Sequence, residues 1–322
     1  GIICTTVPEK AASPGREKLS MCENDSIDIL LSLFGASPFL PEMLRSLQEQ
    51  SLQGASLICR KDTPCDEFLH PLRCMHFAKV LNGDEHLGVT GSYWELLKHS
   101  TAEYTMFADQ DDVWHANKIA FTLDAMRKLE DTHGKKTPLL VHTDLQICDE
   151  KLNVLHKSFI RFQALNPNLT QLRHLMIQNN VTGCTMMINR ALRQLLRPFP
   201  AEAICHDWYI ALVAASFGKV FFLPEATIDY RQHANNVFGA KGRRPQKMHH
   251  DVLRKRLTKT QRQAGAFAWQ YADLLSKEQT DLLLAWADCE TESSYIKKLK
   301  QVLKYRLRKN DLIRTAGLLW AL

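Results

Sequence analysis

The chain of 322 residues has no pair of cysteines spaced C-x-x-C, although it has nine cysteines in all. An odd number without that spacing disfavours both a disulfide framework and a cysteine-built zinc site, and it suits a reducing compartment. No apolar run reaches the roughly 18 residues that a membrane-spanning helix needs. The most apolar stretch, Trp208 to Pro224, is interrupted by Gly218 and Lys219. No basic segment followed by an apolar one opens the chain, so no secretory signal is expected. No internal period of 20–50 residues is present, which excludes solenoids and propellers. What remains is 45% hydrophobic and 24% charged, a globular composition that excludes disordered and collagen-like chains.

Charge is unevenly placed. From Lys241 to Leu322 there are 18 Lys plus Arg against 8 Asp plus Glu, a net +10, which leaves the first 240 residues at −4 of the chain's +6. An acidic body with a basic end is not the pattern of a uniformly basic nucleic-acid binder, and no nucleic-acid module accompanies the charge. Three segments are expected: a loose polar leader over 1–26, with Met21 as an alternative start, a body over 27–239, and a basic helical extension over 240–322. The chain is expected to be cytoplasmic, at most at the inner face of a membrane.

The body reads as α/β. Ile27–Leu33 is a buried strand, and Pro41 opens a helix striped by Leu40, Met43, Leu44 and Leu47. Ser56–Cys59 is a second strand, so the first 35 ordered residues form a βαβ unit and predict a largely parallel sheet. Helices are expected over 91–99 and 117–130, with strands at Tyr104–Ala108 and at Leu139–His142. Polar residues sit at the carboxyl ends of these strands, where open parallel sheets bind ligands. In the extension, Ile296, Leu299, Val302, Leu303 and Leu307 form an apolar stripe on a basic helix. Such a helix suits either an anionic lipid surface or packing on the body with a solvated basic face.

Three carboxylates, Asp109, Asp111 and Asp112, stand within four residues at a strand end. Their mutual repulsion calls for a cation. Asp109 and Asp111 suit Mg²⁺ or Mn²⁺ with open positions for phosphates, and the same spacing suits an acidic helix start.

The segment Tyr104 to Trp114, ending Phe107-Ala108-Asp109-Gln110-Asp111-Asp112-Val113-Trp114, resembles the D-x-D segment of family 2 glycosyltransferases, most closely the bacterial rhamnosyltransferase-like branch. Five further motifs resemble that branch in the same order. They are His86-Leu87-Gly88-Val89-Thr90-Gly91-Ser92, His142-Thr143-Asp144-Leu145 with Asp149-Glu150, Asn180 to Thr185, His206-Asp207-Trp208-Tyr209, and Tyr230-Arg231-Gln232-His233 through Val237.

The resemblance implies a GT-A fold and inverting transfer of a sugar from a nucleoside-diphosphate donor to a glycan or lipid-linked hydroxyl, in bacterial surface polysaccharide synthesis. It implies Asp207 as catalytic base and Asp109, Asp111 and His233 at the metal. It places Asp62, Gly88, Gln110, Asp111 and Asp112 at the donor, and Trp114, Asp144, Gly183, His206 and Trp208 at the sugar or acceptor. Gly183 would let backbone approach a ligand closely, or mark a bulge. Asp207 also suits a helix cap, and Trp114 and Trp208 suit a core as well as a sugar face. The favoured donor is dTDP-rhamnose; a UDP-hexose is the alternative within the fold, and a catalytically silent sugar-binding subunit the alternative outside it. The resemblance weakens after the first two strands. Leu33-Phe34-Gly35-Ala36 and Lys61-Asp62-Thr63-Pro64 replace T-Y-N-G and D-D-G-S, leaving Asp62 as the one carboxylate able to accept from a base.

Overall fold

The computed structural model describes residues 19–20, 25–63, 72, 75–81, 83, 85–233 and 249–322. Most of the expected leader, the boundary at 239, Pro64, Asn235 to Val237 of the last motif and the basic stretch Lys241 to Met248 lie outside the described residues.

Eleven described strands run in chain order: β1 Leu19–Ser20, β2 Ile27–Leu33, β3 Leu52–Gln53, β4 Ser56–Lys61, β5 Ala78–Leu81, β6 Tyr104–Ala108, β7 Val113–Trp114, β8 Leu139–Cys148, β9 Val154–His156, β10 Met186–Asn189 and β11 Lys219–Arg231. Nine of them form one sheet in the order β5-β4-β2-β6-β10-β8-β11-β7, with β9 on the flank of β8. β5, β4, β2 and β6 are parallel. β10 enters antiparallel to both β6 and β8, and β8 and β11 are parallel to each other. The sheet is therefore mixed: a parallel βαβ half joined through one reversed strand to a second half. The short β1 and β3 pair separately.

β2 and β6 take the expected bounds because each is a mainly apolar run buried on both faces, as a central strand must be, with Asp28 and Thr105 hydrogen-bonded inside to Ser100. Helix Leu40–Gln48 opens with Pro41 in its first turn and buries the expected Leu40, Met43, Leu44 and Leu47. Helices Gly88–His99 and Lys118–His133 cover the sheet, and helix His206–Phe217 buries Tyr209 through Ala214 completely. β8 runs on to Cys148, past the expected end. Its polar Thr143 and Asp144 lie where the pairing with β11 shifts register between Leu223 and Ala226, and both are satisfied inside the fold.

The basic end of the chain is helical: His250–Gln270, Lys277–Asp288, Tyr295–Lys304 and Leu312–Trp320. These helices join the body's core. One buried apolar cluster contains Leu30 and Phe107 from the sheet, Tyr209 and Ile210, and Leu257, Phe267, Trp286 and Leu318 from the extension. Cys59, Cys148, Cys184, Cys205 and Cys289 are free thiols.

Candidate active site

A cavity of about 1070 Å³ opens at the carboxyl ends of β2 and β6 and beneath the start of helix His206–Phe217. Asp109, Gln110, Asp111, Gly183, His206, Asp207, Trp208 and His233 all line it. Residues separated by more than 120 positions thus meet at one site.

The carboxylate wall begins where β6 ends. Asp109 points towards the Tyr93 hydroxyl, which donates to the Ala108 carbonyl at 2.8 Å and to Asp109 Oδ1 at 3.1 Å. Burial and the neighbouring charge of Asp111 push the Asp109 carboxyl up to about 7. Asp111 turns the other way, its Oδ2 lying 2.7 Å from His233 Nε2. His233 arrives on the residue pair that follows β11, and Arg231 fixes that strand end. The fully buried Arg231 donates to the Asp111 carbonyl at 3.1 Å, to the Glu150 carbonyl and to Glu42 Oε2 at 2.6 Å, while its guanidinium lies over the Phe39 ring. Gln110 meets the loop after β2: its Oε1 accepts from the Phe34 N–H at 3.0 Å and its Nε2 donates to the Phe34 carbonyl at 2.9 Å.

Asp207 lines the same cavity from the first turn of helix His206–Phe217. Its Oδ2 accepts from the Gly183 N–H at 3.0 Å and its Oδ1 from the Trp208 N–H at 2.6 Å. Two main-chain donors aim the carboxylate and leave lone pairs for a substrate hydroxyl. The residue capping that helix is Cys205, so Asp207 is not the cap. Gly183 has its own reason to be glycine: a Cβ there would stand 2.9 Å from His206 Nε2 and 3.5 Å from Asp207 Cβ. The close approach is to the protein's own helix. His206 stacks on Tyr93 at 3.9 Å between ring centroids, and burial lowers its pKa to about 4, so the ring is neutral. Tyr93 therefore joins Asp109 on one side to His206 on the other. Trp208 donates its indole N–H to the Leu175 carbonyl and turns part of its surface to the cavity.

Five expected site residues do not line the cavity. Asp112 is fully buried beneath it; burial and the charges of Asp109 and Asp111 hold its carboxyl well above the usual range. Trp114 is core, 2% exposed, with the Lys118 ammonium 4.6 Å above its ring. Asp144 accepts from the Ser158 hydroxyl and from the Ile160 N–H at 3.2 Å, fastening the segment after β9. Gly88 has φ +68, a conformation that favours glycine, and starts the helix whose next residue, Val89, lines the cavity. Asp62 is 2% exposed, paired with Arg60 and accepting from the Leu87 N–H at 2.8 Å. Burial opposes its charge, yet the hydrogen bonds from Leu87, Arg60 and Ser92 hold its carboxyl below the ordinary value.

Two sets of groups among the described residues could hold a metal ion. Asp109, Asp112 and Cys184 bring donor atoms within 4.8 Å of one another. That set is buried beside the Lys118 ammonium, whose pKa burial lowers to about 8 against the pull of Cys184 and Asp112. A resident cation there already supplies the counter-charge. Asp111 and His233 face the cavity in mutual contact with Asp109 on the same wall, an oxygen and nitrogen donor set that fits a hard divalent ion with open positions.

Tyr93, Arg231 and Glu150 escaped the sequence reading as site residues. Arg231 stood inside a recognised motif, but only the fold shows that it clamps three segments.

The family model described as "Glycosyl transferase family 2" matches residues 28–196, just over half of the 322 residues. The dTDP-rhamnosyl transferase RfbG of Shigella flexneri is 22% identical over 230 residues, covering 65% of this chain and 74% of that protein. Among solved structures, TarS residues 1–349 of S. aureus in complex with UDP-GlcNAc superposes with a TM-score of 0.53 at 14% identity, covering 87% of this chain and 80% of that one. The mannosyltransferase PcManGT of Pyrobaculum calidifontis, in complex with GDP-Man and Mn²⁺, gives a TM-score of 0.50 at 13% identity, covering 86% and 73%. These likenesses show a GT-A fold.

Proposed function

Because this chain belongs to glycosyl transferase family 2, we propose that it moves a sugar from a nucleoside-diphosphate donor to a hydroxyl of a glycan or lipid-linked acceptor, with inversion, in surface polysaccharide synthesis. The observation that carries the reading is the cavity that Asp109, Asp111, His233 and Asp207 all line. The donor's diphosphate belongs beside Asp111 and His233. The acceptor hydroxyl belongs beside Asp207, which takes its proton as the oxygen attacks the anomeric carbon. The bond from that carbon to the diphosphate breaks and its electron pair leaves with the diphosphate. Mg²⁺ or Mn²⁺, held by Asp111 and His233 with Asp109 alongside, would act as a Lewis acid on the charge that builds there.

For the sugar, the likeness to a dTDP-rhamnosyl transferase supports rhamnose. A UDP-hexose is the second reading: thymine and uracil offer the same N3–H edge, and Asp62, already engaged by Arg60 and Leu87, does not separate them.

The test is a panel of nucleotide sugars with Mg²⁺ or Mn²⁺, reading binding by calorimetry and transfer by mass spectrometry. One donor should bind and be turned over. Binding without turnover on any acceptor would favour the silent, sugar-binding alternative. Asp207→Asn should keep donor binding and lose about 10²–10⁴-fold in turnover, the usual contribution of a general base. Near-normal turnover would remove Asp207 from that role.

A further inference from the structure

The fold leaves uncovered a surface that the sequence pattern alone would bury. On helix Tyr295–Lys304 the apolar stripe splits. Val302 is buried and Leu307 follows it inside, but Ile296 and Leu303 are each 65% exposed. The reverse face is occupied by Lys298, only 6% exposed, whose ammonium donates to the Leu322 main-chain oxygen at 2.7 Å. A helix that turns a lysine inwards and two large aliphatic side chains outwards is set against the usual sense of burial.

Ile296, Lys300 and Leu303 are spaced i, i+4 and i+7, so they share one helix face. Between Ser293 and Asn310 the chain has seven Lys or Arg and no Asp or Glu. The next helix opens with Leu312 and Ile313, which are 88% and 65% exposed. Scattered exposed aliphatics are common on proteins. Here four of them lie on two consecutive helices, the first basic and acid-free and the second capped by Asp311, and apolar side chains beside basic ones on a helix face are the composition of an interfacial membrane helix. No helix among the described residues is long and apolar enough to cross a membrane, so insertion would be shallow.

We propose that the face carrying Ile296, Lys300 and Leu303, continued by Leu312 and Ile313, seats this protein on an anionic lipid surface. The aliphatic side chains enter the headgroup boundary and the lysines meet the phosphates, each basic residue adding a roughly fivefold factor in partitioning. The same segment is bolted to the cavity. Asn310 Oδ1 accepts from the Asn166 N–H at 2.8 Å, and Arg314 donates to the carbonyls of Ala164 at 2.9 Å and Gln163 at 2.5 Å. Gln163 and Leu165 line the cavity. Docking therefore fixes the cavity's orientation to the lipid surface, which suits an acceptor carried by that surface. The orientation argument rests on the proposed transferase activity; the docking does not.

The test is sedimentation of the full chain with vesicles of phosphatidylglycerol and phosphatidylcholine, against pure phosphatidylcholine, at low and high salt. Binding should require the anionic lipid and weaken with salt. Ile296→Ser with Leu303→Ser, and separately Leu312→Ser with Ile313→Ser, should each lower partitioning about tenfold while leaving the thermal midpoint and nucleotide-sugar binding unchanged. Lys300→Glu should act in the same direction. No binding of the parent chain to anionic vesicles, or unchanged binding of both double variants, overturns the proposal. A concentration-dependent dimer without lipid that the same variants dissolve also overturns it, assigning the face to a second copy.

Discussion

At the scale of single residues, the site depends on atoms that leave no room for alternatives. Gly183→Ala brings a methyl group to 2.9 Å from His206 Nε2 and loads the contact that holds Asp207. The variant should lose about 1–3 kcal/mol of stability, the usual cost of overpacking, and lose turnover as Asp207 shifts; urea unfolding and a donor assay would read the two losses separately. The Asp109 carboxyl, with a pKa of about 7, gives a pH prediction. Its folded pKa is raised, so the folded state holds the proton more tightly than the unfolded chain does. A cation binds the carboxylate and must expel that proton, so cation affinity falls as pH drops below 7. Mn²⁺ titrated by calorimetry should bind about tenfold more weakly at pH 6 than at pH 8, and equal affinity at both would separate Asp109 from the cation. Asp109, Asp111, Asp207 and His233 stand out in the sequence through the motifs that contain them, and all four line one cavity. Asp112, Trp114 and Asp144 carried equally suggestive letters, but their burial or their contact with Ser158 is decided by packing that spacing along one strand does not encode.

At the scale of elements, β2 and β6 were legible to the residue because short, mainly apolar runs closed by Gly35 or by Asp109 have few other fates. β8 looks shorter in the sequence than it is because Thr143 and Asp144 mimic a strand end; the Thr143 hydroxyl meets that of Thr227 at 2.7 Å inside the sheet. β10 escaped altogether, since four residues at Met186–Asn189 are too few for a period to show. Arg231 is the joint between elements, binding helix Leu40–Gln48 through Glu42, the turn after β6 through Asp111, and the turn after β8 through Glu150. Arg231→Met should leave those acceptors without their donor at about 1–3 kcal/mol for each buried one. Chemical denaturation would measure it, and a change below 1 kcal/mol would mean that the joint is not rigid.

At the scale of the whole molecule, the basic end is part of the body. Arg197 pairs with Asp273 at 2.7 Å, the Tyr209 hydroxyl donates to Gln270 Oε1 at 2.5 Å, and Phe267, Trp286 and Leu318 are buried in the cluster that contains Phe107. Charge made the extension look separable, because net charge records the solvent face and is blind to the apolar residues between. A chain ended at Gly239 should lose cooperative unfolding and become insoluble. Recovery of a soluble fragment with a sharp thermal transition would show instead that the body folds alone.

The grip of Gln110 on the loop after β2 has a consequence for how this protein can diverge. Both of its hydrogen bonds go to the main chain of Phe34, so the path of that loop is indifferent to which side chain residue 34 carries. Phe34 itself is 58% exposed and lines the cavity. Inheritance of shape is thereby decoupled from inheritance of ligand preference. A lineage, or a saturation library at position 34, can explore new donors one substitution at a time while the carboxylates behind it keep their places.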